Sequence, residues 1–205
     1  MTHAATTDTT PAPRVRARAL AALAAGVVLV AGVVIWRIQG QDVTVPYDDP
    51  QAVGLLTLCS ADGEAVTEGK VGDQPFAAFV LGDTGLPAEV EPTGAVATLF
   101  AYQPREGVAA GEFSGAPLTA AGALGDPARP GVRVTEDVWT VDDFVTAFPA
   151  DLDGFVQLRL VLGTPEAGTL TENPYDTADL RVDGDRWELV RGGSASCSDA
   201  SERVG

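Results

Sequence analysis

One apolar run near the N-terminus constrains this chain more than any other feature. Residues 19–36 read ALAALAAGVVLVAGVVIW, eighteen positions without a charged residue, a proline or a hydrophilic side chain. A helix of this length spans about 27 Å, close to the hydrocarbon thickness of a bilayer. Trp36 and Arg37 would then lie at the level of the headgroups. The sequence therefore predicts a single transmembrane helix over residues 19–37.

Basic residues on one side of the run indicate its orientation. Arg14, Arg16 and Arg18 precede it, and after Arg37 the next basic residue is Lys70. Because positively charged flanks stay in the cytoplasm, we expect everything after the run to be extracytoplasmic, with the chain anchored in the cell membrane. A cleaved signal peptide is the competing interpretation, but no small-x-small cleavage site follows the run, and no cysteine there offers a lipid anchor.

Composition divides the rest of the chain. Residues 1–18 are poor in large apolar side chains and predict a disordered cytoplasmic tail. Residues 38–52 contain two prolines and paired aspartates, which predict an extracytoplasmic stalk. The folded domain is expected over residues 53–198, followed by a flexible tail at 199–205.

Short runs with a period of two dominate the predicted domain. They are bounded by Gly, Pro and Asp and lie at 54–59, 76–81, 95–102, 155–162 and 178–190. This spacing predicts an antiparallel β-sandwich in a mainly β domain. The Gly-, Ala- and Pro-rich stretch at 103–130 predicts long loops with one or two short edge strands.

The last run reads as a hairpin with two candidate registers. A loop at Asp183 and Gly184 would place like charges opposite one another across the strands. A loop one residue later replaces both repulsions with attractions and pairs the apolar side chains, and we therefore prefer it. The preferred cross-strand pairs are Asp183–Arg186, Arg181–Glu188, Val182–Trp187 and Leu180–Leu189.

One short helix is expected between the strands. Thr140 is a suitable N-cap, Asp143 lies in the first turn, and Pro149 prevents continuation. Apolar residues recur between them at helical spacing, at Val141, Phe144, Val145 and Phe148.

The chain has two cysteines, Cys59 and Cys197, and both follow the predicted membrane helix. An even pair outside the cytoplasm is usually oxidised, so we predict a disulfide that joins the two ends of the domain. Two free buried thiols are the alternative.

Charge and histidine content exclude several function classes. His3 is the only histidine, which argues against Ser-His-Asp hydrolysis, Cys-His chemistry and most zinc sites. The formal net charge is -16, and after residue 37 there are nine basic and twenty-eight acidic residues. Such a surface repels phosphate backbones, so we expect no nucleic-acid partner.

Two motifs have a structural and a functional interpretation. Residues 151–154 read Asp-Leu-Asp-Gly, as in a calcium loop, but the further ligands of such a loop are not in register, and a polar turn is favoured. Trp139, Trp187 and Tyr175 are candidates for a sugar-stacking platform; Trp187 lies on the core side in the preferred register, whereas the other two stay open.

The run Asp176-Thr-Ala-Asp-Leu-Arg-Val182 resembles the Asp-x-Ala-x-Tyr-x-Cys run of immunoglobulin-like domains. Leu180 stands at the tyrosine position and Val182 at the cysteine position, so the tyrosine corner and that inter-sheet disulfide would be missing. The whole layout also resembles uncharacterised single-pass membrane proteins of actinobacteria with an extracytoplasmic immunoglobulin-like β-sandwich. The resemblance implies a fold and a location, and no activity.

These features predict a membrane-anchored extracytoplasmic β-sandwich that acts as a binding or assembly module of the cell envelope. Its expected partners are the bilayer, through residues 19–37, and another envelope protein; no catalytic residue, cofactor or metal is expected. Two alternatives stay open: an envelope hydrolase that uses a carboxylate pair, and capture of a cation or ligand by the acidic ectodomain. A deep cleft lined by two acids would favour the hydrolase.

Overall fold

A computed structural model describes residues 44–205 of the chain. Short strands dominate this part, together with two short α-helices and a 3-10 turn at Ala110–Glu112. The strands are β1 (Ala52–Leu55), β2 (Thr57–Cys59), β3 (Glu68–Lys70), β4 (Phe79–Leu81), β5 (Val96–Gln103), β6 (Ser114–Pro117), β7 (Gly122–Ala123), β8 (Gly131–Arg133), β9 (Phe155–Thr164), β10 (Gly168–Thr169), β11 (Tyr175–Asp183) and β12 (Arg186–Arg191). The helices are α1 (Val141–Ala147) and α2 (Ala200–Arg203).

Within the described residues the strands form two sheets. The larger has nine strands, with β3-β12-β11-β9-β5-β6 in order across it; β1, β7 and β10 pair with β11, β5 and β9, respectively. The smaller consists of β2-β4-β8. The pairing is antiparallel throughout except between β1 and β11, which are parallel. The prediction of a mainly β, sandwich-like domain is confirmed.

The hydrophobic core lies between the two sheets. Leu99, Leu158 and Leu180 extend from the large sheet and are fully buried, and they pack in one cluster with Leu58 and Val80 of the small sheet. Helix α1 contributes a buried aromatic ring to the same cluster. We call the side of the large sheet that carries this core the inner face.

The terminal hairpin has the register that cross-strand charge favoured. Strands β11 and β12 place Arg181 opposite Glu188 and Val182 opposite Trp187. Gly184 occupies the turn with a φ of +59°, a conformation that glycine adopts without steric cost. Trp187 is buried in the core, as its position in this register requires.

Helix α1 begins and ends where its capping signals indicated. The Thr140 hydroxyl accepts a hydrogen bond from the Asp143 amide at 3.0 Å, and the Asp143 carboxylate accepts one from the Thr140 amide at 2.9 Å. These two bonds form a capping box. Val141 and Phe144 are the buried residues of its apolar face.

Strands of two or three residues account for most of the differences from the sequence analysis. Strands β3, β8 and β10 were not predicted, because two or three residues cannot display a period. Strands β6 and β7 are the short edge strands that the stretch at 103–130 was expected to contain.

The expectation of a flexible tail at 199–205 was wrong. Ala200 and Arg203 of α2 are buried, and Leu124 forms a β-bridge with Val204. The Arg203 Nε donates to the carbonyl of Arg129 at 3.0 Å. A guanidinium that donates to backbone carbonyls of distant loops leaves no periodic pattern in the sequence. For this reason the sequence did not indicate that residues 199–205 are ordered.

The predicted boundary at residue 53 also differs from the structure. The second half of the expected stalk, residues 44–51, packs against the domain through Tyr47 and Asp49. Residues 1–18 and the predicted membrane helix at 19–37 lie outside the described residues. Within 44–205, no helix combines the length and apolar character needed to cross a bilayer.

Candidate functional site: a polar cluster on the outer sheet face

The side of the large sheet opposite the core carries buried polar groups. Strand β9 alternates, so Gln157 and Arg159 point away from Leu158, yet both are buried, at 0% and 4% exposure. Strand pairing sets Asp179 beside Gln157 and Tyr102 on its other side. We call this side the outer face.

Residues 44–51, which we call the strap, cover part of the outer face. Odd-numbered strap residues are partly buried and even-numbered ones are exposed, the alternation of an extended segment. The Tyr47 ring packs edge-on against Phe113, with ring centroids 5.5 Å apart, and against Phe155 at 6.4 Å. The strap is therefore part of the folded domain, although it was expected to be stalk.

Asp49 is held by three donors of the outer face. Its side chain is 2% exposed. The Arg159 guanidinium lies 3.5 Å from its carboxylate, Gln157 Nε2 donates to it at 3.1 Å, and the Tyr175 hydroxyl donates at 3.1 Å. A buried carboxylate needs such partners, because desolvation without them costs several kcal/mol. Burial also raises the pKa of Tyr175, which keeps this phenol protonated as a donor.

Arg159 is itself fixed by groups outside the strap. Its Nε donates to Gln157 Oε1 at 2.7 Å, and a terminal nitrogen donates to the carbonyl of Ala110 at 2.8 Å. Its guanidinium carbon lies 4.0 Å from the centre of the Tyr102 ring and 5.0 Å from that of Tyr175. The cation–π contacts and the two hydrogen bonds hold the guanidinium in the orientation that meets Asp49.

A second acid–tyrosine contact lies beside the first. Asp179 is fully buried, and its carboxylate accepts hydrogen bonds from the Tyr47 hydroxyl and from Arg191 Nε. Burial raises the pKa of Asp179, although the bonds from Tyr47 and Arg191 oppose the rise. Burial and the Asp179 charge raise the pKa of Tyr47. Asp49 and Asp179 therefore each lie beside an arginine, Arg159 and Arg191 respectively.

Asp176, near the start of β11, fixes a loop. Its carboxylate accepts hydrogen bonds from the Thr84 amide at 2.8 Å, from the Asp83 amide and from the Thr84 hydroxyl. Gly54 and Gly82 lie so close to this carboxylate that a Cβ at either position would collide with it. Asp176 therefore ties the loop after β4 to the large sheet.

The predicted disulfide between Cys59 and Cys197 is present, with the two Cα atoms 5.6 Å apart. Cys59 ends β2 of the small sheet, and Cys197 follows β12 of the large sheet. Both residues are buried. The bond therefore links β2, near the start of the domain, to the segment between β12 and α2, near its end.

The other candidate residues do not converge. Residues 151–154 form a turn before β9, with Asp153 at a φ of +51°. Of the three aromatic candidates, Trp187 is core, Tyr175 belongs to the polar cluster, and Trp139 is 43% exposed beside Phe148. Among residues 44–205, no group of three His, Cys, Asp or Glu side chains is placed to hold a metal ion.

A surface groove of about 320 Å³ lies on the terminal hairpin. Its lining alternates acids with arginines, and Arg186 and Glu68 form an exposed ion pair at 3.5 Å. The lining residues are Glu68, Arg181, Asp183, Arg186, Trp187 and Glu188.

Sequence reasoning missed the polar cluster. Tyr47 and Asp49 lie among prolines in a stretch with no periodic pattern. The one usable signal was Arg159, a charged residue in the middle of a ten-residue strand that is mostly apolar. An arginine in such a place indicates a buried partner.

No protein-family model matches the chain, and searches of curated proteins and of solved structures find no significant match.

Proposed function

We propose that the protein is a single-pass membrane protein whose extracytoplasmic, immunoglobulin-like β-sandwich serves as a non-catalytic binding or assembly module of the cell envelope. The anchor in this proposal is the predicted transmembrane helix at 19–37, and the strap begins seven residues after it. The disulfide supports an oxidising compartment, since such bonds persist mainly outside the cytoplasm.

One observation carries the non-catalytic part of the proposal: the buried acids of the domain are engaged by its own donors. Asp49 meets Arg159, Gln157 and Tyr175, and Asp179 meets Tyr47 and Arg191. A general acid or base needs access to substrate, whereas these carboxylates are enclosed between the strap and the large sheet. The acids of the surface groove are interleaved with arginines, unlike the facing carboxylates of a glycosidase.

The immunoglobulin-like type rests on the placement of the resembling run. Residues 176–182 lie on β11, which is flanked by β9 and by its hairpin partner β12. In immunoglobulin-like sandwiches the strand with this run also lies between two neighbours, one of which is the next strand in sequence.

Topology reporters test the anchor. A reporter that is active only outside the cytoplasm should work when fused after Gly205 and fail when fused before Met1. Replacing Arg14, Arg16 and Arg18 with Glu should scramble this orientation. A soluble form cleaved near Gly40 would contradict the proposal.

Affinity purification from detergent-solubilised membranes tests the module. We expect an envelope protein to co-purify at a constant ratio with the wild-type chain, and to be lost when Cys59 and Cys197 are both replaced with Ala. A purified chain that hydrolyses envelope glycans, with activity lost on substitution of an acidic residue of the groove, would favour the hydrolase instead.

A further inference from the structure

We propose that the outer face of the large sheet is a binding site for an extended peptide with a tyrosine and, two positions later, an aspartate. In this structure its occupant is the chain's own strap.

The receptor half of the site is built without the strap. Gln157, Arg159 and Asp179 lie on the paired strands β9 and β11, which fix their backbone positions. Arg159 keeps its orientation through the Ala110 carbonyl and the Tyr102 ring, and neither belongs to the strap. A carboxylate that enters this site meets donors already in place, which lowers the entropic cost of binding.

The strap is held as a ligand is held, chiefly through side chains. Tyr47 and Asp49 point inward, whereas Asp48 between them is exposed. Pro46 and Pro50 flank these residues and have no amide hydrogen to donate to a strand ladder. A backbone bond, from the Tyr175 amide to the carbonyl of Gln51 at 3.0 Å, forms only where the strap leads into β1.

The chemistry of the site is specific for these two side chains. One oxygen of the Asp179 carboxylate accepts the hydrogen of the tyrosine hydroxyl and the other accepts from Arg191, so phenylalanine would leave the first oxygen without its donor. Arg159 supplies the positive charge that meets the aspartate, so asparagine would leave a buried guanidinium without its counter-charge. The ligand class is therefore an acidic, tyrosine-containing extended peptide.

A peptide with the sequence of residues 44–50, TVPYDDP, tests the proposal. A fluorescent form is titrated into the full-length protein in detergent, either wild type or with Tyr47→Ala and Asp49→Ala, which empties the site. We expect the double variant to bind at least tenfold more tightly, because the attached strap competes at an effective concentration near millimolar. An intact disulfide and an unchanged circular dichroism spectrum check its fold.

Adjacent aspartates provide the matched control. A peptide with Asn in place of Asp49 should bind the double variant at least tenfold more weakly, whereas Asn in place of Asp48 should change affinity less than twofold. Equal affinity of the two Asn-containing peptides for the double variant would overturn the proposal. Equal affinity of the unmodified peptide for wild type and double variant would also overturn it.

A second measurement keeps the wild-type strap contacts and applies if the double variant does not fold. A nitroxide attached to Asp48→Cys is selective, because both native cysteines are in the disulfide. Millimolar peptide should increase the mobility of the label, and the peptide with Asn in place of Asp49 should not. A label whose mobility is unchanged by both peptides would reject an exchangeable strap.

Discussion

Along β9, side chains on both faces of the large sheet are buried, but by different means. On β9, Leu158 points to the inner face and packs by shape alone, whereas its neighbour Arg159 points to the outer face and depends on named partners. Apolar packing is non-directional and tolerates exchange of similar volumes. A buried ion pair, by contrast, is strongly destabilised by any substitution that removes one of its two charges. The comparison predicts opposite responses to the same kind of substitution.

The largest effect is expected on the outer face. Arg159→Ala should lower the free energy of unfolding by about 3–5 kcal/mol, because the Asp49 carboxylate stays buried without its counter-charge. Denaturant unfolding of the solubilised full chain measures it, and the exposed Arg181→Ala should stay within about 0.5 kcal/mol of wild type. Replacing both members of the pair, as Arg159→Met with Asp49→Leu, should recover much of the lost stability. A double variant less stable than Arg159→Ala would show that the loss does not come from an unpaired buried charge.

A comparable but smaller loss is expected on the inner face. Leu158→Ala should cost about 2–5 kcal/mol through lost transfer energy and the cavity left behind. Leu158→Met should cost less than about 1.5 kcal/mol, because it conserves volume. The same Met at position 159 should cost nearly as much as Ala. An equal loss of stability for methionine at positions 158 and 159 would show that the outer face does not depend on specific polar partners.

The outer face should also make stability depend on pH. Burial raises the pKa of Asp179 in the folded protein above its ordinary value of 3.8. Between pH 3.8 and the folded pKa, Asp179 is therefore protonated in the folded protein and ionised in the unfolded chain. The free energy of unfolding should therefore fall as pH rises from about 3.8 through the folded pKa. Asp179→Asn should flatten this fall in denaturant titrations at a series of pH values. An equally steep fall in the variant would assign it to other groups.

The smallest effect is expected at the exposed end of the hairpin. Arg181→Glu should cost about 0.2–1 kcal/mol, because it sets two acids opposite each other. Adding Glu188→Arg should restore part of this loss. If the double change were worse than the single one, the charges would not be interacting across the strands.

Local patterns were enough to predict three features of the domain. The hairpin register followed from opposite charges on adjacent strands, and helix α1 from Thr140, Asp143 and Pro149. The disulfide followed from an even cysteine count on the expected extracytoplasmic side. Each of these inferences needed only residues that are close in sequence, or a count.

The candidate site could not be predicted in the same way. Tyr47 meets Asp179, and Asp49 meets Arg159, across separations of more than a hundred residues. The alternation of β9 indicated which side chains share a face, but not that a proline-rich segment would cover the polar one. The same holds for Arg203 in the C-terminal segment, because its partners are carbonyls of loops that are distant in sequence.

The disulfide also determines how the domain would transmit a mechanical force. Tension applied between the two ends of residues 44–205 would run through the strap, β1 and β2, cross from Cys59 to Cys197, and leave through α2. The strands β3 to β12 lie inside the bypassed loop, whose ends are 138 residues apart in sequence. They would carry tension only through the non-covalent contacts that the strap and β1 make with β9 and β11. The strap would yield first, since two side chains rather than a strand ladder hold it.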